Sequence, residues 1–268
     1  MDTEGSLKPI TPWTGSKRGA ELATILDLLP VSYTRFVDAF AGGGSVVLGV
    51  RAPVARIGDA NPELINVYRV LKTHGHEELV AKLRELTHRR SKADYLAIRE
   101  SMLPTDPICR AARFLYLVKL SHGNLYRTNK RGKFNVSYGN RPTTLCNPKN
   151  LEAVAAYLAS PGVEVVDGDY RDTVADAGPG DVCYFDPPHA GGCFTKYTAE
   201  SFDHMAYRDT LVQLDARGVK IVASNSDSAT LRELFAELLA SGRFCVKDVP
   251  AGHGFRSGRR TDTLMWNF

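Results

Sequence analysis

The chain has 268 residues, 43% apolar and 24% charged, with a net charge of +4; this allows one domain with a sizeable core and excludes a disordered or fibrous chain. No stretch approaches the roughly 20 apolar residues that cross a bilayer, and the N-terminal MDTEGSLKPITPW lacks the apolar segment of a secretory signal, so a cytoplasmic protein without a membrane partner is expected. Cys109, Cys146, Cys183, Cys193 and Cys245 form no C-x-x-C pair, which argues against a disulfide framework and a zinc site and leaves no metal expected.

In chain order, the first buried strand is TRFVDAF (34–40), which runs into a glycine turn. Gly42, Gly43 and Gly44 let the backbone turn sharply and let a ligand approach it, and Ser45 is placed to open a helix. A second strand, VARIG (54–58), leads to Asp59, where an acid can bind the two hydroxyls of a ribose. The glycines depart from G-x-G-x-x-G, since position 47 is Val. That disfavours a dinucleotide and leaves a phosphate-free adenosyl ligand open.

A helix is expected from Pro62. Between 75 and 145 the alternation of strand and helix breaks. Helical patterns (HEELVAKLRELTHRR, ADYLAIRESM, PICRAARFLYLVKL) give way to a polar hairpin turning at Arg131 and Gly132. The stretch reads as an insertion, with catalytic segments 1–74 and 146–268 on either side. In the hairpin, Arg127, Lys130, Arg131 and Lys133 are interleaved with Tyr126, Phe134 and Tyr138, a pattern that offers cations to phosphates and other groups to base edges. Asn129 and Asn135 are candidate adenine readers; a merely solvated hairpin is the competing reading.

Five further strands follow: VEVVD (163–167), DVCYF (181–185), VKIVAS (219–224), RFCVKDV (243–249) and DTLMWNF (262–268). Asp203 is a plausible cap and Gly218 a plausible stop for a helix between them. Strand alternating with helix implies a mostly parallel sheet covered on both faces. Asp186, Pro187 and Pro188 come directly after a strand, at the carboxyl edge where open parallel sheets bind ligands. The prolines fix the backbone and remove amide donors, which leaves an acceptor-only surface suited to an amino group. The amine of adenine is a weak nucleophile because its lone pair is delocalised into the ring; two acceptors on its hydrogens favour a pyramidal nitrogen, and positioning supplies the rest. Arg256, Arg259 and Arg260, before the last strand, are further candidates for phosphate contact, with an ordinary charged turn as the alternative. His122, His204 and His253 lack metal-ligand spacing.

Four segments, PWTGSKRG (12–19), FVDAFAGGGSVVL (36–48), LYRTNKRGKFNVSYG (125–139) and FDPPH (185–189), together resemble the Dam-like DNA adenine methyltransferases, which use S-adenosylmethionine. The resemblance implies an α/β, Rossmann-like class I methyltransferase fold: a seven-stranded, mostly parallel sheet with helices on both faces, plus an inserted helical and hairpin target-recognition domain at 75–145. It implies methylation of the exocyclic amine of an adenine flipped out of double-stranded DNA. Trp13 and Lys17 would contact the cofactor, Gly42 to Gly44 would line its methionine part, and Asp59 would bind its ribose. Phe40, Ala41, Ser45 and Asp169 would belong to the same site. Asp186 would face both cofactor and target amine, with Pro187, Pro188 and His189 completing the catalytic motif. The DNA contacts would come from Arg127, Asn129, Lys130, Arg131, Lys133, Asn135, Tyr138, Arg256, Arg259 and Arg260. A monomer, or a dimer on DNA, in a bacterial or phage-infected cell is the expected setting.

Two positions depart from the family pattern. His189 stands where a tyrosine usually stacks on the flipped base, and Ser137 stands where proline is common in the hairpin. For His189, the same reaction, an altered base or donor, and lost activity all stay open; a neutral stacking ring predicts turnover declining below about pH 6.5. Ser137 leaves the target sequence open. Among competing functions, a dehydrogenase would not explain Asp186-Pro187-Pro188. Cytosine ring methylation needs a Pro-Cys pair that is absent, and methylation of the cytosine amine usually starts the motif with serine. A non-catalytic DNA-binding protein and an RNA substrate remain as alternatives.

Overall fold

The computed structural model describes residues 7–140, 143–188, 202–226, 229–250 and 261–268. All seven expected strands form: β1 (Phe36–Asp38), β2 (Ala55–Asp59), β3 (Val163–Asp167), β4 (Val182–Phe185), β5 (Lys220–Ser226), β6 (Cys245–Pro250) and β7 (Thr261–Trp266). They make one sheet in the order β3-β2-β1-β4-β5-β7-β6. Pairing is parallel from β3 to β5, and β7 runs antiparallel between β5 and β6. The expected α/β class with a mostly parallel sheet is the one observed. The order reverses between β1 and β4, so the chain leaves these neighbours in opposite directions and a crevice opens at their carboxyl ends.

Alternation along the strands feeds two cores. Phe36, Val182, Tyr184 and Val222 point to one face, and Val37, Cys183, Phe185, Ile221 and Ala223 to the other. The first face is covered by α1 (Gly19–Leu28), α2 (Ser45–Val50) and α3 (Pro62–His74), together with α7 (Pro148–Leu158) further along the chain. The 75–145 stretch supplies α4 (Glu77–Leu86), α5 (Lys92–Glu100) and α6 (Pro107–Leu120). Its buried side chains join the main core: Leu79, Leu83, Tyr95 and Tyr116 belong to the same buried cluster as Val47, Leu64 and Tyr68. The second face is covered by α8 (Tyr170–Thr173), α9 (His204–Ala216), α10 (Ala229–Leu234) and α11 (Ala236–Ala240).

The helix starts follow local chemistry. α3, α6 and α7 each begin with Pro after Asn61, Asp106 or Asn147, whose side-chain oxygen accepts a first-turn amide. Ser91 and Asp94 form a reciprocal capping box on α5. Asp203 caps α9 as expected, and Gly218 follows it with φ of +76°. The hairpin is paired more sparsely than a regular ladder. Isolated bridges join Ser121 to Tyr138 and Thr128 to Phe134, and Gly132 takes φ of +73° at the tip.

Candidate active site

A cleft of about 510 Å³ lies at the crevice, lined by the carboxyl ends of β1, β2 and β4 and by the 13–17 turn. Three acids mark it: Asp38 ends β1, Asp59 ends β2, and Asp186 follows β4. The glycine turn is built from backbone. Asp59 accepts the amide of Gly42 at 2.9 Å on one oxygen and that of Asn61 at 2.8 Å on the other, and the Tyr68 hydroxyl donates to the Gly42 carbonyl at 2.9 Å. Gly42 has φ of +51°, and a Cβ there would lie 2.7 Å from the Trp13 ring; at Gly43 it would lie 2.5 Å from the Thr11 carbonyl. Only glycine admits that approach. Trp13 in turn stacks on Tyr126 at the hairpin root, with centroids 5.7 Å apart.

Burial governs the titration of these acids. It pushes the Asp59 carboxyl up to about 6, against the pull of the two amides it accepts. Asp38, 1% exposed, is pushed up to about 8 by burial, with Asp186 and Asp59 adding repulsion and the amides of Phe40 and Val47 opposing. Its Oδ1 has no hydrogen-bond partner among the described residues.

Asp186 is fixed from below. Lys17, 3% exposed, lies 3.1 Å from Asp186 Oδ1, 3.1 Å from Asp262 Oδ2 and 3.0 Å from Glu21 Oε1. Burial works against its charge, but Asp186, Tyr184, Asp262 and Glu21 together raise its pKa well above the ordinary lysine value. Glu21 is pushed up to about 7 by burial, with a hydrogen bond to Asp262 adding to the rise and Lys17 opposing it. Ser224 on β5 donates to Asp186 Oδ1 at 2.9 Å, and its hydroxyl lies 2.7 Å from that of Tyr184. Gly15, φ +82°, borders the other oxygen: a Cβ there would stand 4.0 Å from Asp186 Oδ2.

The structure gathers Trp13, Lys17, Phe40, Ala41, Gly42, Gly43, Ser45, Asp59, Asp169, Asp186, Pro187 and Pro188 around one cleft. Gly44 stands behind it as the N-cap of α2, with φ of +88°. Lys17 serves the carboxylates beneath Asp186. Phe40 stacks on Tyr170 at 5.2 Å, and Asp169 caps α8 while pairing with Arg171 at 2.7 Å. His189, Arg256, Arg259 and Arg260 lie outside the described residues.

In the hairpin, Arg127, Asn129, Lys130, Arg131 and Lys133 are exposed. Two of the candidate base readers have intramolecular partners. Asn129 Oδ1 accepts the amides of Arg131 and Lys133 and so shapes the turn, and Arg127 Nε donates to Asn135 Oδ1 at 2.9 Å. Tyr138 is half-buried. Its hydroxyl donates to the Arg90 carbonyl at 2.5 Å and its ring lies 5.4 Å from Tyr95, so it anchors the hairpin to the helices.

Sequence reasoning missed Glu21, Asp38, Tyr184, Ser224 and Asp262. Asp38 was findable, because FVDAF places an acid at a strand end just as Asp59 and Asp186 are placed. Glu21 stands four residues after Lys17, a spacing that pairs charges on a helix; the other three carry no local signal.

A family model for the D12 class N6 adenine-specific DNA methyltransferases matches residues 13–248. The Type II methyltransferase M1.LlaDCHI of Lactococcus lactis subsp. cremoris is 35% identical over 245 residues, 87% of this chain and 86% of that protein. The DNA N-6-adenine-methyltransferase of Escherichia phage P1 is 31% identical over 238 residues, 85% of this chain but 31% of that longer protein. The Type II methyltransferase M.MjaIII of Methanocaldococcus jannaschii is 30% identical over 249 residues, 82% of this chain and 84% of that protein.

Proposed function

The chain belongs to the D12 class N6 adenine-specific DNA methyltransferase family, and from that premise we propose that it transfers a methyl group from S-adenosylmethionine to the exocyclic amine of an adenine extruded from double-stranded DNA. The observation that carries this reading is Asp186: a carboxylate on a proline-fixed turn at the crevice, with Lys17 and Ser224 both on Oδ1.

The cleft suits the donor. Its volume of about 510 Å³ is in the range of small-molecule sites. Asp38 brings to its lining a buried oxygen that has no partner among the described residues, as expected where a ligand supplies the missing donor. Gly42, Gly43, Phe40, Ala41 and Ser45 would hold the methionine part, Asp59 the ribose hydroxyls, and Trp13 and Asp169 the remaining walls. When bound, the sulfonium supplies an electrophilic methyl group. The protein's part is to present the nucleophile. Asp186 and a neighbouring proline carbonyl accept the two amine hydrogens, which favours a localised lone pair on nitrogen, and the proline turn offers no competing amide donor. An adenine in a duplex has that amine paired, so it has to leave the stack first. Arg127, Lys130, Arg131 and Lys133 would hold the phosphates and read the groove. The relatives named as a type II methyltransferase and a phage enzyme support a place in restriction and modification or in phage DNA protection.

Incubation with labelled S-adenosylmethionine and mixed-sequence DNA, followed by nucleoside analysis, tests donor, substrate and product together. N6-methyladenine is the expected label carrier. Asp186→Ala should lower kcat by about 10²- to 10³-fold, on the scale of losing one preorganised polar contact. Label in cytosine, or DNA binding without any transfer, would overturn the reading.

A further inference from the structure

Asp186 has two oxygens, and the structure treats them differently. Oδ1 faces the Lys17 ammonium at 3.1 Å and the Ser224 hydroxyl at 2.9 Å. Ser224 has a single proton. If it gives that proton to Asp186, the 2.7 Å contact between Ser224 and Tyr184 has to be filled from the tyrosine side. The direction of the chain is then set: Tyr184 donates to Ser224, and Ser224 donates to Asp186. Tyr184 has the proton to give, because burial, with Asp186 adding to it, keeps its hydroxyl protonated well above the ordinary range.

The sheet register places this chain. β1, β4 and β5 lie side by side, with Phe185 level with Ala223, so Ser224 stands beside Asp186 one step further on. Ser224 is 1% exposed and shares a face of β5 with Val222. It is therefore inside the protein, next to Asp186 but not in the lining of the cleft.

We infer that Ser224 is a positioning residue for methyl transfer: together with Lys17 it pins Oδ1 of Asp186, so that Oδ2 is the oxygen offered to the target amine, and Tyr184 orients Ser224 for that task. A carboxylate held at one oxygen by one long side chain can rotate about its Cβ–Cγ bond. A second donor from a rigid strand fixes the carboxylate plane. The amine needs an acceptor in a set direction, and small misplacement of a reacting group is costly to turnover while leaving donor binding alone. This inference rests on the methyltransferase reading of the site.

The experiment compares wild type, Ser224→Ala, Ser224→Thr and Tyr184→Phe for turnover on DNA at saturating S-adenosylmethionine, with cofactor affinity measured by calorimetry and folding by thermal denaturation. Ser224→Ala should lower kcat about 10- to 100-fold, the scale of one hydrogen bond to a charged acceptor, with cofactor Kd within about twofold of wild type. Ser224→Thr, which keeps the hydroxyl, should recover most of the loss. Tyr184→Phe, which leaves no buried hydroxyl without a partner, should lower kcat by a smaller factor at unchanged cofactor Kd, and carries the test alone if Ser224→Ala does not fold. Wild-type turnover in Ser224→Ala, a threonine variant no better than the alanine one, or losses of kcat matched by losses of cofactor affinity would overturn the assignment. A wild-type protein that labels no DNA would instead overturn the methyltransferase reading.

Discussion

Asp186 and the hairpin around 126–135 are fixed by different means. Asp186 is approached by Lys17 from the segment before α1 and by Ser224 from β5, while Asp262 of β7 and Glu21 of α1 hold Lys17 in place. The cations of the hairpin are exposed, and two of its polar contacts are local: Arg127 with Asn135, and Asn129 with the turn amides. Its attachment comes from Tyr138, Tyr126 and Phe134 at the root. A change at the acid thus disturbs several elements at once, whereas a change at the tip disturbs little beyond its neighbour. Under the proposed function, catalysis would be tied to the core, and target choice would fall to an anchored but independent surface that is free to vary.

The largest effect that would test this contrast comes from Lys17→Met. It leaves Glu21, Asp186 and Asp262 facing one another without their cation, and should cost about 3–5 kcal/mol of stability, read from the urea midpoint; a loss near that of a surface lysine would show that the network is loosely solvated.

Next is Asp38. Its folded value is about 8 against an ordinary 3.8, so the native state keeps a proton that the unfolded chain releases. The stability this gives is complete below about pH 4 and is lost as pH rises toward 8. Asp38→Asn, which cannot ionise, should gain stability relative to wild type steadily from pH 5 to pH 8. A difference independent of pH would mean that the carboxyl is ionised throughout.

The hairpin should respond more mildly. Arg127→Ala should remove about 1–3 kcal/mol of discrimination at one base pair, and because Arg127 holds Asn135, adding Asn135→Ala should cost less than the sum of the two single changes. Strict additivity in a binding-site selection would separate the pair. The smallest effect is that of Lys133→Ala: binding weakens evenly on all sequences and the salt slope falls by about one. A shift in preferred sequence would make Lys133 a base reader.

Much of the fold was legible because its signals are local. The seven apolar runs became the seven strands within a few residues, the helix expected from Pro62 starts there, and Asp203 caps α9. The glycine turn, Asp59 and Asp186 were readable for the same reason: each sits at a strand end, where an open parallel sheet places its ligands. The hairpin was readable as a basic segment, but not in which of its groups face outward. Tyr138 is half-buried because its ring had a core to join and its hydroxyl had the Arg90 carbonyl to meet.

The sequence by itself thus determined the strands, the strand-end acids and the glycine turn, all of which depend on neighbours a few residues away. The tertiary structure alone decided which oxygen of Asp186 is pinned and what holds Lys17. Lys17 and Asp262 are 245 positions apart, and Tyr184 and Ser224 meet only because β4 and β5 pair in one register. No short-range pattern can encode such meetings, since burying charged and polar groups together becomes favourable only once the whole sheet has assembled around them.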